Sequence, residues 1–250
     1  MEIKYTVGQN GYDIPYMSRI RDEEKILIVS HGFGSSLKSP TAQMLLDGMP
    51  NHGIGVIAYD FPNHGASKAG PDGLRIENCI SDLETIEQMM IKENPKAEIM
   101  YFSSSFGAYI DLLYLSMKKH TGTKSFLRSA AVNMPELFMD PTDVQRETID
   151  RDGRLTLSYE QPLTITAEFV NDMLSHDLFE LYRPGKTKVE MIHGEKDATI
   201  DPEKAKRFAE KFSIPVTMVP KGGHRLMEDA QPQMVFDAAL KMFSERGSSL

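Results

Sequence analysis

Three consecutive serines, Ser103 to Ser105, stand between an apolar, strand-like run at Glu98–Phe102 and a helix-like run at Tyr109–Lys118. A serine on a sharp turn between a strand and a helix is the layout that exposes a nucleophilic hydroxyl. The tight turn requires small residues two positions away on either side. Only Ser105 has glycine at the second following position, so Ser105 is the candidate nucleophile. A serine-rich turn is also typical of a helix N-cap, and this stretch alone leaves both interpretations open.

A nucleophilic serine needs a base, and the base needs a carboxylate that orients it. The later part of the chain supplies both groups, in loops that follow two predicted strands. Asp197 follows the strand at Lys188–His193, and His224 follows the last strand, at Pro215–Val219. Loops at the carboxyl ends of parallel strands meet at one edge of a sheet. The sequence therefore predicts a triad of Ser105, Asp197 and His224, in the chain order Ser, Asp, His.

The other acidic and histidine candidates fit structural roles better. Asp201 directly precedes Pro202 and is expected to cap a helix rather than to join the triad. His31 and His64 lie beside glycines in loops after early strands, where we expect them to hydrogen-bond their own loops. His193 directly precedes a glycine and is also expected to be structural. Because no His, Asp or Glu residues show metal-ligand spacing, we predict no metal site.

Acyl transfer also requires N–H donors for the oxyanion of the tetrahedral intermediate. Phe106 follows the candidate nucleophile at the start of a predicted helix, so its backbone N–H is one candidate donor. The second is the backbone N–H of Phe33, in the loop that follows the strand at Ile26–Ser30. This glycine-containing loop lacks the Gly-Lys-Ser/Thr of a phosphate-binding loop and the Gly-x-Gly-x-x-Gly of a dinucleotide site. We therefore predict no cofactor.

Strand-like and helix-like segments alternate along the chain, which predicts an α/β fold with helices on both faces of a mostly parallel sheet. A hairpin comes first, followed by six further strands, which gives eight strands in all. The predicted strands are Ile3–Val7, Ile14–Ile20, Ile26–Ser30, Gly55–Asp60, Glu98–Phe102, Ala130–Asn133, Lys188–His193 and Pro215–Val219. Helices are predicted from Ile76 to Asn94, from Pro202 to Phe212 with Asp201 as the N-cap, and from Met234 to Phe243.

Residues 134 to about 185 break this alternation. Charged residues and turns are frequent there, no buried strand is predicted, and a helix begins near Thr166. We interpret this region as a small cap inserted into a single domain that covers residues 1–250.

Composition limits the possible partners. The chain has 250 residues and a formal net charge of -8, and a basic face for nucleic acid is therefore not expected. The single cysteine, Cys79, excludes an intrachain disulfide and falls among apolar residues at helical spacing, so we expect a buried thiol. Neither a signal-like segment nor a membrane-spanning apolar run is evident. These features predict a cytoplasmic protein that does not bind membranes.

Together these motifs resemble the α/β-hydrolase family over nearly the whole chain. The segments that carry the resemblance are His31-Gly32-Phe33-Gly34, Asp60–Ser67, the serine turn, His193–Asp197 and Gly223-His224. Two departures stand out, because Pro62-Asn63 and Ser103 occupy positions where glycine is commoner. Within the family, the chain is most similar to small bacterial esterases of the cinnamoyl/feruloyl type and to the monoglyceride-lipase and serine-aminopeptidase-like group. Leu163–Val170 resembles the segment that closes the short cap of such esterases.

The resemblance implies a serine hydrolase that cleaves small-molecule carboxylic esters through an acyl-enzyme. The cap would then shape the substrate pocket, with Phe138, Met139, Phe169 and Met173 as candidate lining residues, although core packing explains each of them equally well. A thioesterase, lysophospholipase or peptidase with the same triad remains an alternative, as does a catalytically silent binding protein. The expected oligomeric state is a monomer or a homodimer.

Overall fold

A computed structural model of the protein describes residues 1–138, 144–159 and 161–245. The strands in these ranges are β1 (Lys4–Val7), β2 (Asp13–Arg19), β3 (Lys25–Ser30), β4 (Ile54–Tyr59), β5 (Glu98–Ser104), β6 (Lys124–Arg128), β7 (Arg154–Leu157), β8 (Leu163–Thr166), β9 (Lys188–Gly194) and β10 (Val216–Val219). Eight of them form one sheet in the order β1-β2-β4-β3-β5-β6-β9-β10. Only the β1–β2 and β2–β4 pairs of this sheet are antiparallel. The predicted eight-stranded, mostly parallel sheet with a leading hairpin is confirmed.

Helices pack on both faces of this sheet, and further helices lie in the segment between β6 and β9. They are α1 (Pro40–Gly48), α2 (Ile76–Glu93), α3 (Phe106–Met117), α4 (Val144–Asp152), α5 (Ala167–Leu174), α6 (Leu178–Leu181), α7 (Pro202–Lys211) and α8 (Gln231–Ser244). Side chains alternate between the two faces of a strand. In β3, Ile26 and Ile28 accordingly pack in one hydrophobic cluster with α2 and α3, whereas Leu27 and Val29 pack in another with α1 and α8. An apolar run buried on both faces is what a central parallel strand requires.

The predicted helix boundaries follow local capping chemistry. Asp201 accepts a hydrogen bond from the backbone N–H of Glu203, and Pro202 takes the first helical position of α7. Asn94 ends α2, as expected. Cys79 lies fully buried in α2, which confirms the expectation of a buried thiol. Helix α1, with Ser39 as its N-cap, was not predicted from the sequence.

One predicted strand was wrong. The strand expected at Ala130–Asn133 lies instead at Lys124–Arg128, and residues 130–133 form turns behind the serine turn. Strand β6 contains polar residues whose hydrogen-bond partners lie far away in the sequence. Its sequence therefore lacks the apolar run that is typical of a buried strand. Ser125 donates to Asp111 of α3, and Lys124 donates to the carbonyl of Glu245.

The segment that was predicted to form a cap, hereafter the cap, lies between β6 and β9. One expectation for it was wrong. A two-stranded antiparallel sheet of β7 and β8 is present, and in β8 both Leu163 and Ile165 are buried. The absence of a buried strand was therefore a wrong prediction, because a four-residue strand is too short to stand out. The helix expected near Thr166 is confirmed as α5, with the Thr166 hydroxyl as its N-cap. Ile165, Phe169 and Met173 belong to the same hydrophobic cluster as α2 and α3.

Among the described residues, none of the helices combines the length and the apolar character needed to cross a bilayer.

Candidate active site

Ser105 occupies a strained turn between β5 and α3. Its backbone angles are φ 51° and ψ -113°, a region that residues other than glycine rarely adopt. Two backbone hydrogen bonds hold this turn in place. The Ser105 N–H donates to the carbonyl of Arg128 at 2.9 Å, and the Ser105 carbonyl accepts from the N–H of Ala131 at 3.2 Å. This fixed, sharp turn has the geometry of a nucleophile elbow, one of the two interpretations that the sequence left open, and the role of Ser105 as nucleophile stays a prediction.

Close packing explains the small residues on either side of Ser105. A methyl group at Gly107 would lie 2.6 Å from the carbonyl oxygens of Ser30 and His31, so only glycine lets α3 approach β3. On the other side, Ser103 is fully buried and its hydroxyl donates to Asp111 at 3.0 Å. At this position, where glycine is commoner, the Ser103 side chain is accommodated because its hydroxyl has a buried hydrogen-bond partner in Asp111.

The three side chains of the predicted triad form one hydrogen-bonded chain. His224 Nε2 lies 3.0 Å from Ser105 Oγ, and His224 Nδ1 lies 2.8 Å from Asp197 Oδ2. With the proton on Nδ1, the imidazole donates to the carboxylate and accepts the serine hydroxyl. In this tautomer His224 can remove a proton from Ser105 while Asp197 fixes the ring, which is the arrangement needed to activate a hydroxyl nucleophile.

Asp197 is buried and surrounded by donors. Its Oδ1 accepts the backbone N–H groups of Thr199 and Ile200, both at 2.9 Å. Burial raises the pKa of the Asp197 carboxyl, but hydrogen bonds from His193, His224 and the Ile200 N–H outweigh burial and hold that pKa below its usual range. The carboxyl group is therefore an anion at neutral pH, as an orienting carboxylate must be.

His193 is a second imidazole on the same carboxylate, and the sequence analysis gave it only a structural role. It is fully buried at the end of β9, and its Nε2 lies 3.1 Å from Asp197 Oδ2 and 3.3 Å from the carbonyl oxygen of Ile200. The one signal in the sequence was its position four residues before Asp197, on the strand that carries the loop.

Arg128 links the serine turn to the histidine loop, and sequence reasoning also missed it. From the end of β6, its Nε donates to Ser104 Oγ at 3.1 Å and its Nη1 donates to the carbonyl of Arg225. These acceptors belong to the residues next to Ser105 and His224. Burial lowers the pKa of the Arg128 guanidinium to about 10, so the group stays charged at neutral pH.

The two predicted oxyanion donors belong to segments that both lie next to Ser105. Phe106 directly follows Ser105 as the first residue of α3. The β3 loop also approaches Ser105, because a methyl group at Gly32 would lie 3.3 Å from Ser105 Cβ and 3.9 Å from its Oγ. Phe33 is the next residue in that loop. The two backbone N–H groups thus belong to two segments that meet at Ser105, and their role as oxyanion donors stays a prediction.

His31 and His64 do hydrogen-bond their own loops, as expected. His31 Nδ1 donates to the carbonyl of Gly32 at 2.8 Å, and His31 Nε2 accepts the N–H of Phe61 at 3.2 Å. His64 Nδ1 donates to the carbonyl of Pro62 at 2.9 Å. Burial lowers the pKa of His31 to about 4 and that of His64 to about 3, so both rings are neutral.

Aromatic rings line the space around Phe33, and two of them come from the cap. The ring of Phe169 is stacked on Phe33, with centroids 5.8 Å apart, and Tyr159 meets the edge of Phe33 at 6.0 Å. Of the four cap residues proposed to line a pocket, Phe169 and Met173 are fully buried in the core. Met139 and the side chain of Phe138 lie outside the described part of the chain.

Within the described residues, no group of three or more His, Cys, Asp or Glu side chains is arranged to hold a metal ion.

Known structures share this architecture at low sequence identity. Est1E from Butyrivibrio proteoclasticus with bound ferulic acid has a TM-score of 0.83 and 14% identity over 97% of this chain and 100% of that one. A soluble variant of monoglyceride lipase from Saccharomyces cerevisiae has a TM-score of 0.77 and 15% identity over 100% and 96% of the two chains. Alpha/beta hydrolase domain-containing protein 10 from mouse has a TM-score of 0.79 and 16% identity over 98% and 100%. At these identities the likeness shows the α/β-hydrolase fold alone.

Comparison by sequence identifies the family more specifically than the structural comparison does. No curated protein sequence matches the chain significantly. The profile of the family described as serine aminopeptidase, S33, matches residues 21–177, which is more than half of the chain. The match includes the β3 loop and the elbow around Ser105. The chain therefore belongs to the serine aminopeptidase S33 family of the α/β-hydrolase superfamily.

Proposed function

We propose that this protein is a carboxylesterase that cleaves small esters through an acyl-enzyme on Ser105. One observation carries the proposal, namely the hydrogen-bonded chain of Ser105, His224 and Asp197 at an elbow whose strain is difficult to explain otherwise. The serine-hydrolase family and the fold support it. The neighbour bound to ferulic acid supports a small ester as the substrate class.

The geometry suggests the following sequence of events. His224 Nε2 takes the proton of Ser105 as its oxygen attacks the ester carbonyl, and the N–H groups of Phe33 and Phe106 bind the resulting oxyanion. The C–O bond to the alcohol then breaks, and the alcohol leaves with the proton held by His224. Water, deprotonated by His224, next attacks the acyl-enzyme, which releases the acid and restores the Ser105 hydroxyl. Asp197 stays ionised and stabilises the imidazolium in both halves.

The first experiment compares wild type with Ser105→Ala on p-nitrophenyl acetate, butyrate and octanoate and on methyl ferulate. Removal of the nucleophile should reduce kcat/KM by a factor of about 10³ or more on every ester that the wild type cleaves. A fluorophosphonate probe should label the wild type and leave Ser105→Ala unlabelled.

Ser104→Ala is the control for the three adjacent serines. It removes a neighbouring hydroxyl that accepts from Arg128, so we expect slower labelling but not its loss. Labelling that persists in Ser105→Ala and disappears in Ser104→Ala would show that the nucleophile is misplaced. Wild type that is labelled but inactive on all four esters would reject the carboxylesterase and leave a thioester or peptide hydrolase.

A further inference from the structure

Asn63 has a backbone conformation that glycine could adopt without strain. It lies in the loop after β4 with φ at 62°, in the left-handed region. Asparagine tolerates this region better than most residues, but glycine occupies it at no steric cost. The side chain of Asn63 is therefore not needed for the turn, and its role must be sought in what it contacts.

The Asn63 amide reaches across to the cap. Its Nδ2 donates to the carbonyl oxygen of Thr164 at 2.8 Å. Thr164 lies in the middle of β8, where Thr156 of β7 is its strand partner and the two hydroxyls lie 2.8 Å apart. In the described residues β8 pairs with no other strand. The amide thus ties the β7–β8 hairpin to the loop that follows β4.

The hairpin and helix α5, which follows it, carry two aromatic groups that contact the β3 loop. Tyr159, in the connection between β7 and β8, lies so close to Gly34 that a methyl group there would overlap its ring. From β8 the chain continues directly into α5, which places Phe169 on Phe33. A shift of β8 would therefore move both rings relative to Phe33, whose N–H is a proposed oxyanion donor.

We propose that Asn63 is a specificity-determining positioning residue. By donating to β8, its amide holds Tyr159 and Phe169 in place against the β3 loop. The Tyr159 side chain, which is 41% exposed beside that loop, then limits the length of the acyl group that fits. The inference rests on the proposed function, because it names a determinant of substrate choice at the same site.

Asn63→Gly tests this directly, since glycine keeps the backbone conformation and removes only the amide. For p-nitrophenyl acetate we expect kcat to stay within about threefold of wild type. The ratio of kcat/KM for octanoate to that for acetate should rise by about tenfold, because a looser hairpin admits the longer chain. Asn63→Asp, which cannot donate the bond, should shift the ratio in the same direction.

Arg154→Ala is the matched control. It removes an exposed ion pair between the same hairpin and Asp72, and we expect the acyl preference to stay that of wild type. Hydrogen exchange at the amides of residues 163–166 should quicken in Asn63→Gly and not in Arg154→Ala. This readout does not depend on turnover.

Two outcomes would overturn the inference while the proposed function stands. One is an active Asn63→Gly with the wild-type ratio of octanoate to acetate. The other is an equal loss on all three p-nitrophenyl esters, which would make Asn63 a structural residue only. Failure of the proposed function gives a different result, since wild type would then cleave none of the esters.

Discussion

Arg128 contacts both the turn that carries Ser105 and the loop that carries His224. Its carbonyl accepts the N–H of Ser105, while its guanidinium binds Ser104 and the carbonyl of Arg225. A charged group kept among neutral acceptors loses hydration, a cost that is tolerated where the group fixes a geometry. Proton transfer between serine and histidine would require alignment to within a fraction of an ångström, and we expect the hydrogen bonds of Arg128 to hold the two segments in that alignment.

Arg128→Met should expose this role, because methionine is of similar length and donates no hydrogen bond. We expect kcat/KM for p-nitrophenyl acetate to fall by roughly 10- to 100-fold, with KM within about threefold of wild type. Steady-state kinetics measure both parameters. Arg207→Met, which removes an exposed arginine of α7, should behave as wild type. Full activity in Arg128→Met would refute the alignment role.

Sequence reasoning could group Ser105, Asp197 and His224 because each follows a strand, in a known chain order. The structure brings these side chains together, and their catalytic role remains a prediction. His193 and Arg128 could not be found in this way. The hydrogen-bond partners of Arg128 lie 24 and 97 residues away in sequence, and no local pattern encodes such distances.

At the scale of elements, a residue of the cap supplies the hydrogen-bond acceptor at the N-terminus of α2. Helix α2 begins after Arg75, which provides no side-chain cap. The missing acceptor comes from α5, where Asp172 Oδ2 accepts the N–H of Ile76 at 2.7 Å. Tyr109 of α3 adds a second bond, from its hydroxyl to the carbonyl of His176. The cap is therefore joined to α2 and α3 by polar contacts as well as by its apolar residues.

Asp172→Ala should destabilise the protein, since it leaves the start of α2 without an acceptor. A lost N-cap costs about 1–2 kcal/mol, and urea denaturation should show a loss of that size in the unfolding free energy. Asp72→Ala, which breaks an exposed ion pair between the same two regions, should cost less than about 0.5 kcal/mol. Equal midpoints for Asp172→Ala and wild type would contradict the capping role.

The misplaced strand shows where element prediction fails. β3, β4 and β5 could be predicted because their side chains are almost uniformly apolar, as burial on both faces demands. β6 is equally central, yet Lys124, Ser125 and Arg128 interrupt its apolar pattern. Each of these three side chains has a hydrogen-bond partner in a different element. A strand can therefore be buried and polar when the fold supplies partners that the local sequence does not show.

At the scale of the whole molecule, three carboxyl groups are so deeply buried that their pKa values are raised. Burial raises the pKa of Asp60 to about 6, that of Asp111 to about 7 and that of Asp82 to about 8. Each folded-state pKa exceeds the value in the unfolded chain, so the folded protein binds more protons between these values. The stability that these groups contribute is fully present below the unfolded-state pKa of about 4, and it is lost as pH rises from there through the folded-state values. Asp197, with its lowered pKa, has the opposite dependence and loses its contribution in acid.

Asp82→Asn should therefore flatten the dependence of stability on pH, because asparagine cannot ionise. Between pH 5 and 8.5, the unfolding free energy of the variant relative to wild type should rise by on the order of 4 kcal/mol, because this interval covers about three of the pKa units by which burial raises Asp82. Urea denaturation across this range measures the difference. Asp237→Asn, on the exposed face of α8, is the control and should leave the wild-type slope unchanged. Parallel curves for Asp82→Asn and wild type would show that Asp82 is already ionised in the fold.

Cys79 is the single thiol of the chain, and it lies fully buried in α2 among residues of the main core. Burial also raises its pKa, so almost none of it is thiolate at neutral pH. A thiol reagent can modify it only when α2 separates from the sheet. When that opening is rare and reversible, the rate at which Cys79 is labelled is proportional to the fraction of molecules in which the core is open. Labelling of Cys79 in the protein without any substitution therefore measures how often the core that supports Ser105 opens.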